Sequence, residues 1–337
     1  MSKADLDRLR AKARVTLGGE PEPPPGRFDD NVVPLRASND GPDTSSDMRD
    51  AMTKAFEAMQ ARISRGGGLA GAESGLECLD YALDGWQRGR FYVIGGRTGM
   101  GKTILGANVA MGLAERGNGV DYLSFEMPTE EQAIRCLLSA SRVGHWRIRQ
   151  NLVRPEDWSA MTAAAARVSK LPWMWDDKSG VNVDWIARHI RATRAKLKAR
   201  GADLHTVVLD TVQKIRGDNA RANLREQMVR TVDALKQLAI REDVCMLALA
   251  QIGRGTEARN QKDRRPRMAD LQEAGAIEQE ADGVMLLFRA DYYAEKGEER
   301  DHVLDVAMPK IRGGEPTYAK LHFDGACYRI DNPTVAP

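Results

Sequence analysis

The sequence predicts an α/β fold in which a mainly parallel sheet carries helices on both faces and antiparallel strands along one edge. Two observations predict the parallel part. Short apolar runs alternate with longer segments of helical periodicity, and a glycine-rich turn lies between one such run and the following helix. The last apolar runs of the chain follow one another without helices between them, which predicts the antiparallel edge. With 337 residues, 42% of them hydrophobic, the chain can bury a sizeable core.

The first 45 residues are predicted to be a mostly disordered N-terminal extension. The prolines within Pro21–Pro25 exclude a helix there. Residues 37–46 are too polar to fold alone. Residues 3–17 have a weak apolar face on a helical repeat, so this segment is either a docking peptide or a solvated tail.

Residues 46–68 are predicted to form an amphipathic linker helix followed by a glycine hinge. Apolar residues recur here at spacings of three or four, which makes one stripe on a helix, and Gly66–Gly68 end it. The stripe consists of Met48, Met52, Phe56, Met59 and Ile63. It packs either on its own domain or on a neighbouring subunit, and the pattern alone does not decide between them.

Residues 69–337 contain the alternating elements and are predicted to form one domain. Strands are predicted over 91–94, 120–125, 172–175, 206–209, 245–250 and 284–288. Helices are predicted over 104–114, 129–138, 185–198 and 224–238, and a capping box of Thr129 and Gln132 opens the second of them. The runs 303–308, 319–323 and 327–330 are the predicted antiparallel strands.

Composition excludes several classes of protein. The 50 basic residues against 48 acidic ones rule out a uniformly basic nucleic-acid coat, so any such surface is a local patch. The 6% aromatic share argues against a base-stacking sheet. No apolar run approaches 18 residues, so no membrane contact is expected. The four cysteines are far apart in the sequence, which fits a reducing, cytoplasmic environment.

The strongest motif is a phosphate-binding loop that matches G-x-x-x-x-G-K-[ST] in full, between a predicted strand and a predicted helix. Its residues are Gly96, Arg97, Thr98, Gly99, Met100, Gly101, Lys102 and Thr103. The glycines let backbone N–H groups surround phosphate oxygens, and the helix adds its positive dipole end. We expect Lys102 to reach the β- and γ-phosphates of a nucleotide and Thr103 to hold Mg²⁺. The alternative is an ordinary glycine-rich turn.

Three further residues end predicted strands. Asp210 closes an apolar run and is the candidate Walker-B carboxylate, a second Mg²⁺ contact, unless it is only a turn residue. Glu126 follows another run and is suited to orient or deprotonate an attacking water. Gln251 follows a third run and is either a sensor that bonds the γ-phosphate or a plain loop residue.

Taken together, these motifs resemble the ATPase domain of DnaB-type replicative helicases. The resemblance rests on the order of the phosphate loop, SFEMP, VVLDTVQ, ALAQIGR, RRPRMADLQEAGAIEQEADGVMLLFR and PKIRGG, and covers residues 75–331. The single motifs are shared with other RecA-like ATPases. The triplet EMP, the segment 278–282 and the late K-x-R-x-G are more specific to the DnaB group.

The resemblance implies a ring of six RecA-like domains that uses ATP, bound between subunits, to travel 5′ to 3′ on single-stranded DNA. It implies that Glu126 is the catalytic carboxylate and Gln251 the γ-phosphate sensor. It also implies that Lys310 and Arg312 reach the neighbour's ATP, with Arg312 as arginine finger. From the residues alone, a basic, solvated strand end is the favoured interpretation of the two side chains.

The resemblance also bears on the N-terminal parts. It implies that the helix over residues 46–65 docks on the adjacent subunit. The family's cellular members carry an N-terminal helical domain that engages primase, and residues 1–45 do not match it. We therefore expect a phage or plasmid helicase or a specialised paralogue, in which the tail replaces the missing domain as a recruitment peptide for a loader or initiator.

DNA contacts are expected from two basic segments, residues 214–225 and 254–267. They contain glycine and asparagine but no aromatic residues, which suits tracking of the phosphate backbone. The alternative is that they are solvated charge runs. The candidate residues are Arg216, Arg221, Arg254, Arg259, Lys262, Arg264, Arg265 and Arg267.

The leading hypothesis is an ATP-dependent DNA helicase that acts as a homohexamer. The alternative is a RecA-like, DNA-dependent ATPase that binds or remodels DNA without unwinding it. A kinase that uses the phosphate loop is a third hypothesis. The K-x-R-x-G motif, which makes sense only between subunits, counts against it.

Overall fold

The computed structural model of the chain describes residues 47–64, 68–217, 223–253, 264–271, 274–294 and 300–333. The predicted N-terminal extension and the first two glycines of the predicted hinge lie outside these ranges. Within them, no helix combines the length and the apolar character needed to span a lipid bilayer.

The predicted strands and helices are present, with bounds that differ by a few residues. The strands are β1 Phe91–Gly96, β2 Gly119–Ser124, β3 Trp173–Asp176, β4 Leu204–Asp210, β5 Cys245–Gln251, β6 Gly283–Phe288, β7 Val303–Ile311, β8 Thr317–Asp324 and β9 Arg329–Asp331. The helices are α1 Met48–Ser64, α2 Glu77–Leu83, α3 Lys102–Glu115, α4 Thr129–Ser141, α5 His145–Arg149, α6 Pro155–Val168, α7 Val183–Lys198, α8 Leu224–Arg241 and α9 Ala274–Glu280.

The strands form one sheet in the order β3-β2-β4-β5-β1-β6-β7-β8-β9. The first six strands of this order, β3, β2, β4, β5, β1 and β6, run parallel to one another. Strand β7 then pairs antiparallel with β6, β8 with β7, and β9 with β8. The predicted fold class is therefore confirmed. The late apolar runs pair as hairpins because no helix stands between them to carry a parallel crossover.

Both faces of the sheet are covered. On β1, Tyr92 and Ile94 belong to a core shared with helices α2 and α3, whereas Phe91 and Val93 belong to a second core shared with α7, α8 and α9. Successive strand residues point to opposite faces. A strand buried on both sides therefore reads as a continuous apolar run, as β1 does.

The chain divides into two compact units within helix α1, between Met59 and Gln60. The helix exists as predicted, and its apolar stripe is exposed. The exposed fractions of the stripe residues are Met48 72%, Met52 62%, Phe56 57%, Met59 57% and Ile63 75%.

One local prediction is wrong, because the capping box at the start of α4 does not form. Pro128 is the N-cap residue and makes no side-chain cap. The N–H of Thr129 instead donates to Oδ2 of Asp177 at 2.8 Å, so a neighbouring loop satisfies the helix end. Gln132 is fully buried, with its Nε2 3.7 Å from Sδ of Met127.

Candidate nucleotide and subunit-contact sites

The carboxyl ends of four neighbouring parallel strands meet at one edge of the sheet. Strands β2, β4, β5 and β1 lie side by side in this order and run in the same direction. Ser124 lies opposite Asp210, and Gly96 lies opposite Gln251. The loops after these strands therefore converge at the edge where open α/β sheets bind ligands.

The loop between β1 and α3 has the backbone of a phosphate cradle. Gly99 and Gly101 have φ angles of 84° and 97°, a region that residues with a Cβ rarely occupy. A Cβ at Gly99 would lie 2.6 Å from a ring carbon of Tyr292, and one at Gly101 would lie 2.8 Å from a ring carbon of Phe323. Helix α3 begins at Lys102, so its N-terminal N–H groups and positive dipole end adjoin the cradle.

The other residues of the loop shape its turn. The N–H of Met100 donates to the carbonyl oxygen of Arg97 at 3.2 Å, and the Met100 side chain is buried in the core. Thr98 is exposed at the tip. The loop is thus anchored by one apolar side chain, while Thr98 and Gly99 are exposed at its tip.

Lys102 is buried inside the loop. Its Nζ donates to the carbonyl oxygens of Gly96 at 2.8 Å and Arg97 at 3.1 Å, and the residue is 7% exposed. Burial lowers the pKa of this amine to about 8, although the charges of Asp210 and Glu126 oppose that shift. A buried cation whose direct partners are neutral carbonyls favours an anionic ligand such as phosphate.

Asp210 ends β4 and is 2% exposed. Its Oδ2 accepts a hydrogen bond of 2.9 Å from the Tyr122 hydroxyl, and the Thr103 side chain forms a second hydrogen bond with the carboxyl group. Burial raises the pKa of this carboxyl, and the two hydrogen bonds oppose the rise. The contact joins Thr103, the second residue of α3, to the end of β4.

Thr103 and Asp210 offer the kind of oxygen atoms that Mg²⁺ prefers. In nucleotide sites this ion is usually held by one or two protein oxygens, with water and phosphate completing its coordination. A hydroxyl and a carboxylate in hydrogen-bond contact fit that pattern. In the described part of the chain, no cluster of three or more His, Cys, Asp or Glu side chains could hold a metal by itself.

Glu126 lies next to the end of β4. Its Oε1 accepts a hydrogen bond of 3.2 Å from Oγ1 of Thr211 and lies 4.0 Å from Nζ of Lys214. The main chains of the two strand ends are also joined, because the N–H of Phe125 donates to the carbonyl oxygen of Asp210 at 2.6 Å. With 34% of its side chain exposed, Glu126 is anchored and still open to water.

Gln251 is fixed between the loops after β4 and β1. Gln213 bonds its main chain twice: Nε2 donates to the Gln251 carbonyl at 3.3 Å, and Oε1 accepts from the Gln251 N–H at 3.2 Å. The next residue, Ile252, donates its N–H to the carbonyl oxygen of Gly96 at 3.2 Å. The main chain at the candidate sensor is therefore bonded both to the loop after β4 and to the start of the phosphate loop.

Lys310 and Arg312 lie at the opposite end of the parallel strands from the phosphate loop, where the amino ends of β1 and β6 meet. Lys310 belongs to the end of β7, and Arg312 follows that strand directly. Strand β7 pairs antiparallel with the start of β6 near Gly283, and Gly283 lies opposite Tyr92 at the start of β1. Strand β1 runs from there to Gly96, and four strand residues span about 13 Å. The structure therefore does not bring these two residues to the phosphate loop of their own subunit.

Four of the eight predicted DNA contacts lie outside the described residues, namely Arg221, Arg254, Arg259 and Lys262. Of the others, Arg216 is exposed and borders a cleft of about 650 Å³ together with Lys178, Trp185 and Arg188. Arg267 is also exposed. The cleft also contains one carboxylate, Asp184, so its basic side chains outnumber its acidic ones, which favours an anionic ligand such as a nucleic-acid backbone.

Arg264 and Arg265 are engaged within the subunit. The Arg264 guanidinium lies 4.7 Å from the centre of the Tyr293 ring. Arg265 lies 4.8 Å from the centre of the Phe288 ring and forms an ion pair of 2.8 Å with Asp305. A DNA contact by either residue requires it to leave these partners.

Several residues of the site were not predicted. Thr211 and Gln213 lie within three residues of Asp210, so their closeness in sequence could have indicated them. Tyr122 lies in the middle of β2 and carries no signal, because only the strand order brings it beside Asp210. Tyr292 reaches Gly99 from a segment almost 200 residues further along the chain.

Comparisons with known proteins agree with this geometry. A family model described as the DnaB-like helicase C terminal domain matches residues 71–332. The replicative DNA helicase DnaB of Geobacillus stearothermophilus is 31% identical over 278 residues, which are 82% of this chain and 60% of that protein. The replicative DNA helicase DnaC of Bacillus subtilis (strain 168) is 30% identical over the same shares.

Solved structures show the same likeness. One structure of an ATPase domain superposes with a TM-score of 0.78 at 28% identity, covering 86% of this chain and 99% of that one. A DnaB-like replicative helicase, solved in a study of its interactions with primase, gives a TM-score of 0.76 at 28% identity over 86% of this chain and 68% of that one.

The chain spans about 60% of the length of the curated relatives it matches. The matched region contains the phosphate loop, the candidate carboxylates and the late basic motif in the predicted order. The RecA-like fold and the predicted resemblance are thereby confirmed, and the chain belongs to the DnaB-like helicase C-terminal domain family.

Proposed function

We propose that this chain is an ATP-driven DNA helicase that works as a ring of identical subunits, a hexamer by the family resemblance. The observation that carries the proposal is the separation of two basic groups. Lys102 lies at the carboxyl edge of the parallel strands, whereas Lys310 and Arg312 lie about 13 Å or more away at the amino edge. A basic pair at that edge is suited to complete the nucleotide site of a neighbouring subunit.

ATP binds with its phosphates in the cradle, where backbone N–H groups, the α3 dipole and Lys102 meet the negative charge. Thr103 and Asp210 hold Mg²⁺, which supplies charge neutralisation at the phosphates when it is bound. The loop residues that line the phosphates are Gly96, Arg97, Thr98, Gly99, Met100, Gly101, Lys102 and Thr103.

Hydrolysis uses Glu126 to orient and deprotonate the attacking water, since its carboxylate is anchored by Thr211 and open to solvent. Gln251 bonds the γ-phosphate and reports its loss to the loops joined to it. Arg312, with Lys310 beside it, stabilises the charge that develops on the neighbour's phosphoryl group. Such a finger in trans is worth roughly 10³–10⁵ in rate.

Single-stranded DNA binds along the basic segments 214–225 and 254–267, through phosphate contacts that are indifferent to sequence. Directional travel, 5′ to 3′ by the family resemblance, comes from hydrolysis at successive interfaces. The proposed contacts are Arg216, Arg221, Arg254, Arg259, Lys262, Arg264, Arg265 and Arg267.

The relatives are bacterial replicative helicases, so we place the work of this protein in DNA replication in the bacterial cytoplasm, on a host, phage or plasmid replicon. Residues 1–45 are proposed as a recruitment segment for a loader or initiator. One structural relative was solved in a study of its primase interactions, and primase is a second candidate partner to be tested.

A forked DNA with a free 5′ tail tests the proposal. We expect strand displacement that requires ATP, Mg²⁺ and the 5′ tail. A fork with only a 3′ tail is the matched substrate control, and Lys102→Ala is the catalytic control. An ATPase that DNA stimulates, without displacement on either fork, would favour the DNA-remodelling ATPase instead.

A further inference from the structure

Asp282 is a buried carboxylate on which four hydrogen bonds converge. Its Oδ1 accepts from Nη1 of Arg90 at 3.0 Å and from Nη1 of Arg312 at 3.1 Å. Its Oδ2 accepts from the N–H of Phe91 at 2.9 Å and from Nζ of Lys236 at 2.5 Å. The side chain is 1% exposed. Four acceptor positions are what an ionised carboxylate offers, so the group is saturated.

The charge of Asp282 is maintained despite its burial. Burial raises the pKa of the carboxyl, but the hydrogen bonds from Lys236, Phe91 and Arg90 outweigh that effect, and the net pKa lies below its ordinary value. Asp282 is therefore an anion at neutral pH, and a fixed one, because Lys236 and the main chain hold its second oxygen.

Arg312 is attached to this anion in two ways. Its main-chain N–H donates to the carbonyl oxygen of Asp282 at 2.6 Å, and its side chain donates one hydrogen bond to Oδ1. The Arg312 side chain is nevertheless 64% exposed. One nitrogen of the guanidinium is thus held while most of the group stands at the protein surface, where a phosphate of a second subunit can meet it.

Stability alone does not explain this contact. If Arg312 left, Asp282 would keep Lys236, Arg90 and the Phe91 N–H, and an ion pair with so exposed a partner adds little to folding. The contact does restrict a long, flexible side chain. A guanidinium that must meet a transferring phosphoryl group in the right orientation acts better when its position is fixed before the reaction.

Lys310 is held by the same stretch of chain. Its Nζ donates to the carbonyl oxygens of Glu278 and, at 3.1 Å, Gln279, at the end of α9. The segment 278–282 therefore fixes both basic residues of the late motif.

We propose that Asp282 is a positioning residue for hydrolysis in trans: it holds Arg312 in the orientation that reaches the ATP of the adjacent subunit. This inference rests on the proposed function, because it has meaning only if Arg312 acts across an interface. Asp282 itself touches no nucleotide and acts through the guanidinium.

The test compares Asp282→Asn with the same change at a carboxylate that binds other arginines of the sheet. Asp282→Asn keeps the shape but removes the charge, and we expect kcat of the DNA-stimulated ATPase to fall about tenfold to a hundredfold while KM for ATP changes less than twofold. Asp331→Asn removes the charge of a carboxylate that binds two other arginines, Arg142 and Arg329, and should leave kcat within about threefold of wild type. Asp282→Asn combined with Lys236→Met avoids an unpaired buried ammonium and covers the case in which the single variant fails to fold.

Mixed rings then locate the defect. Subunits with Asp282→Asn keep their own phosphate loop, and subunits with Lys102→Ala keep an intact Asp282 and Arg312. Mixing the two should restore part of the turnover, because the second kind supplies a positioned finger to the first. Damage to the folding or nucleotide site of the Asp282→Asn subunit itself would not be repaired in this way.

A parallel mixture of Arg312→Ala and Lys102→Ala subunits separates the role of Asp282 from that of Arg312. Rescue of Arg312→Ala without rescue of Asp282→Asn, or a normal kcat for Asp282→Asn, overturns the positioning role and leaves the proposed function intact. If Arg312→Ala is not rescued in assembled rings, Arg312 does not act on the ATP of a neighbouring subunit. The proposed role of Asp282 is then excluded as well.

Discussion

The hydroxyl of Tyr122 donates a 2.9 Å hydrogen bond to Oδ2 of Asp210, so a residue in the middle of β2 orients the carboxylate at the end of β4. Both side chains are buried, at 0% and 2% exposure. A carboxylate that binds a metal ion works best when its orientation is fixed beforehand, and such supporting contacts matter nearly as much as the ligands themselves.

Tyr122→Phe removes this donor and keeps the ring. We expect the Mg²⁺ concentration that half-saturates the ATPase to rise by about tenfold, because partners of metal ligands typically contribute 10–100-fold to affinity. The turnover at saturating Mg²⁺ should stay close to wild type. The measurement is ATPase rate against free Mg²⁺, with the exposed Tyr318→Phe as control. An unchanged half-saturation would show that the hydroxyl does not support a metal ligand.

Glu126→Gln should bind ATP normally and hydrolyse it slowly. The amide keeps the shape and can still accept the hydrogen bond from Thr211, but it cannot take a proton from water. Loss of a general base typically lowers the rate by 10²–10⁴-fold. Single-turnover hydrolysis and nucleotide affinity, measured together, check this result, with Glu130→Gln on α4 as the matched surface control. A normal hydrolysis rate would remove Glu126 from the mechanism.

Local patterns were sufficient to predict that Asp210, Glu126 and the phosphate loop lie at strand ends, because each is preceded by an apolar run whose length and flanks indicate a buried strand. The parallel order was also predictable, since helices separate the runs. Contacts between distant segments were not. Segment 278–282 stood out only through the family resemblance, and no sequence pattern indicated the partners of Asp282. Arg90, Lys236 and Arg312 meet at this residue only in the folded sheet.

The short helices were missed for a different reason. Seven residues, as in α2 and α9, cover less than two turns and give no clear period. Helix α6 had a usable signal that was overlooked, because Pro155 stands at its first turn and Asp157 accepts from the N–H of Arg154 at 3.0 Å. Tertiary contacts also replaced local caps, as at Thr129.

His205, in β4, should make the fold sensitive to mild acid. Burial, reinforced by the charge of Arg88, lowers its pKa to about 4, below the ordinary value of 6.5. Below pH 6.5 the imidazole is protonated in the unfolded chain but not in the folded chain. The free energy of unfolding therefore decreases as the pH is lowered from about 6.5 to about 4. Between pH 7.5 and pH 5 this one residue should cost about 2 kcal/mol of unfolding free energy.

Urea denaturation at the two pH values checks this expectation. The His205→Gln variant should lose about 2 kcal/mol less than wild type between pH 7.5 and pH 5, whatever its stability at pH 7.5. The exposed His322→Gln is the control. Parallel losses in wild type and His205→Gln would mean that His205 is not held neutral by the fold.

Helix α1 offers a test of assembly. Its stripe of five apolar side chains is exposed in the single chain, and Phe56 lies at its centre with 57% exposure. Apolar stripes of this kind bind apolar grooves of partners, and a carboxylate in such a contact is strongly unfavourable. Phe56→Glu should therefore shift the particle from a ring to smaller species and lower the ATPase activity per chain, because the proposed nucleotide site needs two subunits.

The measurement is mass by light scattering with ATP and a single-stranded oligonucleotide, alongside ATPase rates over a dilution series. Glu57→Gln, a neighbouring exposed residue off the stripe, is the matched control. Wild type should lose specific activity on dilution, and Phe56→Glu should show that loss at higher concentration. Equal masses and equal dilution curves for the two proteins would mean that α1 does not hold neighbours together. A wild-type activity that is indifferent to dilution, in particles shown to be monomers, would end the proposal that ATP is hydrolysed between subunits.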